Sequence, residues 1–244
     1  MKKLLFFLLC SITLTSCEKL DVGDCFMGAG NTIIVTRDLD DFNHISLNDN
    51  INLIITQDTR CGVKIEAGEN LIPSIITEVS DHRLIIRNNN ICNWVRSYNK
   101  EIDVYVSVEE LISIEYISSG NVLSTNTIVT DSLSVAVWDG SGIIDLDIET
   151  RISALSLHYG AVNFIVRGKS NVNFIYAASY GPFFCENLET AFTFMNNRGS
   201  NDCYVYCTKH LGVDIEYTGN IYYKGNPETV SANITGTGQL IELE

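Results

Sequence analysis

Proline is nearly absent from this chain, at three residues in 244, and charge is scattered rather than massed. That combination excludes a long disordered linker. Helical periodicity is missing too, because no stretch carries an apolar stripe at helical spacing for three turns. Asn70-Leu71-Ile72-Pro73 is the one candidate helical turn, and its proline limits the length. Basic residues are few, 16 against 30 acids, for a formal charge of −14. Such a surface repels nucleic acid and anionic lipid headgroups, so neither is expected as a partner of the folded part. No C-x-x-C pair occurs, and His44, His82, His158 and His210 stand apart without ligand spacing. No metal and no cofactor is therefore expected. The serines beside glycines lack a G-x-S-x-G frame and a placeable histidine partner, which speaks against acyl-transfer chemistry.

What is present begins with an export signal. Lys2-Lys3 precede a short apolar run, Leu4 to Leu9 with Ile12 and Leu14. The run is too short to span a bilayer as a mature helix, and no later stretch approaches that length. Leu14-Thr15-Ser16-Cys17 resembles a bacterial lipobox, in which the thiol is acylated and the peptide is cut just before it. Residues 1–16 are thus expected to be a lipoprotein signal peptide and 17–31 a lipidated tether starting at Cys17. Buried acyl methylenes contribute ~0.8 kcal/mol each, so attachment would be lasting. Removing residues 1–16 takes away Lys2 and Lys3 and no acid, so the charge falls from −14 to −16. The expected location is the cell envelope, lipid-anchored, at the outer membrane.

The body of the chain is organised by a returning glycine. Gly120, Gly140, Gly160, Gly181, Gly199, Gly219 and Gly238 are separated by 20, 20, 21, 18, 20 and 19 residues. A short alternating run lies on each side, such as Leu133/Val135/Val137 before Gly140 and Val162/Phe164/Val166 after Gly160. Alternation of period two means strands, and a fixed period of this length means stacked repeats. Glycine at the beat predicts sharp corners with positive φ. The expected fold is all-β, a right-handed β-solenoid of coils about 20 residues long. An antiparallel sandwich with glycine turns is the rival. The solenoid is expected over 113–244. Residues 32–112 show strands without the strict beat and are expected as an irregular N-terminal β region that caps the stack. Within it, Asn48-Asp49-Asn50 reads as a corner and Ser80-Asp81-His82-Arg83 as a hairpin turn.

Two constellations follow from the stacking. Six cysteines remain after Cys10 and Cys17, and an even count in an exported chain points to disulfides. Cys185 and Cys203 each follow a beat glycine by four residues, so a bridge between adjacent coils is expected. The positions just before the beat glycines, Trp138, His158, Tyr159, Tyr180, Arg198 and Tyr217, should form one file at a corner. Such a file could contact an extended glycan, although aromatic residues at corners more often serve packing. Asp139, Asp145 and Asp147 resemble acidic calcium sites of solenoid polysaccharide lyases, but alternate acids on a strand are commonly its solvated face.

The chain also resembles the family described as putative auto-transporter adhesin, head GIN domain, over roughly residues 22–244. The resemblance rests on Asp41-Phe42-Asn43-His44-Ile45, on 49–57 (DNINLIITQ) and on Glu66-Ala67-Gly68-Glu69-Asn70-Leu71. It rests also on 92–98 (CNWVRSY), on Trp138-Asp139-Gly140-Ser141-Gly142, on Tyr180-Gly181-Pro182 and on Tyr223-Lys224-Gly225-Asn226-Pro227. It implies an all-β, solenoid-like fold. It also implies that Cys25, Cys92, Cys185 and Cys203 are the recurring cysteines and that Cys61 and Cys207 are additions. A non-enzymatic adhesin or scaffold that binds a protein or glycan is the resulting expectation. A carbohydrate-binding or polysaccharide-cleaving module is the alternative.

Overall fold

The structure, a computed structural model, describes residues 28–90 and 101–243. Among them are sixteen strands: β1 (Thr32–Arg37), β2 (His44–Asp49), β3 (Asn52–Gln57), β4 (Gly62–Gly68), β5 (Ile75–Ser80), β6 (Arg83–Asn88), β7 (Asp103–Val108), β8 (Ser113–Ser118) and β9 (Val122–Ser124), then the long β10 (Ile128–Leu157), β11 (Ala161–Ala177), β12 (Phe183–Asn197) and β13 (Cys203–Ile215), and last β14 (Ile221–Lys224), β15 (Thr229–Ile234) and β16 (Leu240–Glu242). The candidate helical turn is a 3-10 turn, Ile72–Ser74. The fold is a β-solenoid of stacked coils about 20 residues apart.

Each coil has two sides. One side is the parallel row β3, β9, residues 141–148 of β10, the first part of β11 to β13, then β14 and β16. The other is the parallel row β2, β8, 134–140, 152–157, 172–177, 192–197, 210–215 and β15. The long strands bend from the first side to the second without interruption. Alternate residues point inward, and identical depths stack into columns. In one column Ile144, Phe164, Phe183, Cys203 and Ile221 are paired coil to coil and fully buried. The Phe164 and Phe183 rings lie 4.5 Å apart and nearly parallel. Burying each such side chain stabilises the stack by roughly 1.5–3 kcal/mol relative to exposure.

The two corners of the coil are built differently. At the glycine corner the backbone of one coil sits directly on the carbonyl of the coil before. A Cβ at Gly120, Gly140, Gly160, Gly181, Gly199, Gly219 or Gly238 would lie 1.9–2.3 Å from a carbonyl oxygen of the preceding coil. Positive φ, the reason expected from the sequence, holds at Gly140 and Gly160 but at none of the other five. Close approach, not chain direction, is what selects glycine at every beat. Side-chain carbonyls reinforce this corner by accepting from the next coil's backbone, Asn52 from Asn121 N at 2.9 Å and Asn121 from Ile143 N at 3.0 Å. Asp202 and Asn220 repeat the device near the far end.

The second corner carries a row of inward hydroxyls instead. Thr150, Ser170 and Thr190 are aligned, followed by Cys207 in the same row. Thr150 donates to Ser170 at 2.9 Å, Ser153 bonds Ser170 and Asn173, and Thr190 reaches the Tyr206 carbonyl at 2.7 Å. Buried polar groups persist only when paired, and here they pair along the stack.

The stretch 32–112 is more regular than the sequence implies. β2 and β3 form a coil in register with β8 and β9, and β6 and β7 form another on its outer side. That outer coil comes later in the chain than the one it covers. Antiparallel pairing is confined to β1–β4, β4–β7 and β5–β6, which close this end of the stack. Asp49 turns the expected corner at φ 65°, and Asp81 and His82 (51° and 58°) make the expected hairpin turn. Two consecutive positive φ values give the turn whose twist matches its flanking strands. At the other end all six residues of β15 are exposed.

Candidate binding face

Backbone hydrogen bonds decide which corner residues lie over one another. His158 N donates to Val137 O, Ala178 N to Leu157 O, Arg198 N to Ala177 O and Glu216 N to Asn197 O. The aligned positions are therefore Trp138, His158, Ala178, Arg198 and Glu216. Trp138 and His158 stack at 4.3 Å with 9° between planes. Ala178 then interrupts the file, and Arg198 pairs with Glu216 at 3.0 Å. Tyr159, Tyr180 and Tyr217 are 71%, 69% and 55% exposed, and none stacks on another described ring. The expected continuous aromatic file is not formed. The 21-residue gap before Gly181 contributes, since Tyr180 N bonds Gly160 O and so sits over Ala161 rather than over His158.

A different group of side chains is brought together on the outer face of the second side. Ala154, Phe174, Phe194, Gly212 and Ser231 form one outward column across five coils. Beside it runs a polar column of Ser156, Tyr176, Asn196, Asp214 and Asn233. Phe174 and Phe194 are 45% and 40% exposed, and their rings stack at 5.5 Å. These two columns line an open, mainly apolar groove of about 620 Å³. His210 stands against Phe194, its ring tilted 49° at 5.6 Å. Its Nδ1 lies 2.7 Å from Thr229 Oγ1. Asn233 Nδ2 donates to Asp214 Oδ1 at 3.0 Å, and Asn196 Nδ2 to Glu216 Oε1 at 2.8 Å. Sequence reasoning missed this face because it searched next to the glycines. The available signal was Phe174 and Phe194 at a 20-residue interval, both at outward positions of their strands.

The first side carries its own outward column, Ile165, Phe184, Tyr204 and Tyr222. Phe184 stacks on Tyr204 at 5.6 Å and Tyr204 on Tyr222 at 4.9 Å. In such a column each ring covers the faces of its neighbours and offers mainly edges outward. It works as packing on the sheet surface.

A family model described as putative auto-transporter adhesin, head GIN domain, matches residues 41–227. The chain belongs to this family. The head GIN domain has solved relatives that are remote in sequence and close in shape. A putative adhesin from Bacteroides fragilis NCTC 9343 is 20% identical, with a TM-score of 0.78 over 87% of this chain and 97% of that one. A putative adhesin from Parabacteroides merdae ATCC 43184 is 18% identical, with a TM-score of 0.62 over 89% and 98%. A putative lipid binding protein from Parabacteroides distasonis ATCC 8503 is 19% identical, with a TM-score of 0.66 over 89% and 98%. At these identities the likeness is one of fold. No curated protein matches the chain.

The cysteines of this head GIN domain correct one expectation. Cys61, Cys185, Cys203 and Cys207 are free thiols. The register explains why the one-coil bridge is not made: Cys203 lies opposite Phe183, and Cys185 opposite Val205. A two-residue diagonal between parallel strands separates Cα atoms by about 8 Å, beyond disulfide reach. Equal distance from a beat glycine is thus not equal depth in the coil. Burial pushes the Cys203 thiol up to about 12 and the Cys185 thiol higher still, so neither is a nucleophile at neutral pH. Cys17, Cys25 and Cys92 lie outside the described residues. Among the described residues no group of His, Cys, Asp and Glu is arranged to hold a metal ion. Asp145 of the acidic trio is engaged by Arg167. No helix among the described residues is long and apolar enough to cross a membrane.

Proposed function

We propose that this head GIN domain protein is a lipid-anchored, non-enzymatic envelope protein that binds a protein or glycan through the outward face carrying Phe174 and Phe194. The observation that carries the reading is the groove itself. Two exposed, stacked phenyl rings lie beside a row of amide, hydroxyl and carboxylate groups on a rigid parallel sheet. Exposed rings cost free energy in water unless something covers them, and the adjacent polar row supplies directed hydrogen bonds. The coils hold these groups at fixed spacing before any partner arrives, which lowers the ordering cost of binding. Membership of a family described as adhesin supports adhesion as the purpose.

The test combines location with contact. Intact cells expressing the protein would be treated with protease, and purified protein would be applied to whole-cell and envelope fractions. Phe174→Ala combined with Phe194→Ala should abolish retention on those fractions, while Tyr204→Ala on the opposite side should not. Retention that survives the double substitution would remove this face from the proposal.

A further inference from the structure

We propose that the groove is a carbohydrate site that takes neutral pyranose units, seated against the exposed Phe174–Phe194 pair. This rests on the reading of the same face as the binding surface. A pyranose presents an apolar C–H face and a rim of hydroxyls, so it needs an uncovered aromatic face with hydrogen-bonding groups around it. The Phe184–Tyr204–Tyr222 column cannot provide that, because its rings cover one another. The Phe174–Phe194 pair is different, since it is flanked by small residues on both coils. Ala154 precedes Phe174 and Gly212 follows Phe194, so no aligned ring continues the stack at either end, and His210 meets Phe194 only at a tilt.

Gly212 is the decisive position. Unlike the beat glycines, its added Cβ would meet no backbone. It would meet the Phe194 ring at 3.1 Å and His210 Nε2 at 3.5 Å. Even a methyl at residue 212 would crowd the Phe194 ring, so a larger side chain there would displace it. Polar groups suited to sugar hydroxyls surround that ring. Ser231 Oγ lies 3.5 Å from His210 Nε2, and Asp214 is steadied by Asn233. Charge narrows the ligand class. The lining holds Asp214 and no lysine or arginine, in a chain of formal charge −14, so uronate and sulfated glycans are repelled. The groove spans the five coils from Ala154 to Ser231, or about 19 Å at the strand spacing, enough for a short oligosaccharide along the stack.

The experiment is affinity electrophoresis and calorimetric titration of the mature protein. The probes are neutral polysaccharides (mannan, β-glucan, galactan) with polygalacturonate and heparin as anionic counterparts. At least one neutral polysaccharide should bind and the anionic ones should not. Phe194→Ala and Gly212→Leu should each weaken binding at least about tenfold, the leucine by displacing the Phe194 ring. Asn233→Ala lies in a fully exposed strand and tests the rim where folding is not in question; it too should weaken binding. Tyr204→Ala should leave binding unchanged. Failure of every neutral glycan, or binding indifferent to Gly212→Leu and Asn233→Ala, overturns the sugar site. If envelope retention still depends on Phe174 and Phe194 in that case, the binding face stands and its ligand is a protein or lipid. If retention is also lost as a dependence, both readings fall.

Discussion

At the scale of single residues, a glycine that meets a carbonyl is constrained differently from one that bends the chain. Neither Gly181 nor Gly219 has positive φ, yet a Cβ on either would lie 1.9 or 2.3 Å from the preceding coil's carbonyl oxygen. Alanine at Gly181 or Gly219 should therefore destabilise by about 1–3 kcal/mol through overpacking. Gly62, with nothing within 4 Å of an added Cβ, should accept alanine with no loss. Urea midpoints would check this; a harmless Gly181→Ala would return the explanation to positive φ.

Tyr116 poses a second residue-scale test. It is fully buried, and its hydroxyl donates to the Gly120 carbonyl at 2.6 Å and also to the Ser141 carbonyl. Burial pushes its pKa from the ordinary 10.0 up to about 12. Between those values the unfolded chain releases a proton that the folded one retains. The contribution is thus complete below pH 10 and is lost as pH climbs toward about 12, at up to roughly 1.4 kcal/mol per pH unit. Tyr116→Phe should be less stable at pH 8, because the Gly120 and Ser141 carbonyls lose the one hydroxyl proton they share. It should also show a shallower alkaline decline in urea midpoints between pH 9.5 and about 11.5. An unchanged slope would mean that the buried thiols, Cys185 and Cys203, carry the alkaline limb instead.

At the scale of elements, strands and corners were unequally visible. Alternation marked β7, β11 and β13 because inward and outward residues differ in polarity. The second corner was overlooked although Thr130, Thr150, Ser170 and Thr190 recur at strict 20-residue intervals. Hydroxyls inside a coil look like surface residues until the strand bends and their neighbours come from the coils above and below. The candidate site was hidden for a related reason. Phe174 and Phe194 sit in ordinary outward strand positions, and Ala154 and Gly212 on the adjacent coils end their stack. The glycine corner offers a direct test. Asn197 is fully buried, accepts from Gly199 N at 3.0 Å and donates to the Gly219 carbonyl at 3.1 Å. Asn197→Ala should cost about 1–3 kcal/mol by orphaning both groups. Hydrogen exchange should accelerate first around 198–201 and 217–220, since a solenoid loosens coil by coil. Uniform acceleration along the stack would contradict a corner role.

At the scale of the whole molecule, the proposed lipid anchor would determine what the proposed binding face can reach. Cys17→Ser should leave an uncut precursor that no longer partitions into detergent with the membrane fraction. Partitioning unchanged from wild type would dismiss the lipobox.

The architecture was legible because a solenoid is nearly one-dimensional: strand alternation and a beat of about 20 residues each reflect contacts between a coil and its immediate neighbours. The β-rich composition was readable for the same reason, since it depends on local chemistry. What only the tertiary structure decided is alignment. Gaps of 21 and 18 residues and the bulges in β12 and β13 shift depth by one or two positions, and those shifts accumulate along the stack. They carried Tyr180 out of the corner file, set Cys203 against Phe183 instead of Cys185, and laid Gly212 beside Phe194. A side chain's neighbours across coils depend on the sum of all registers before it, and that sum exists only once the chain has folded.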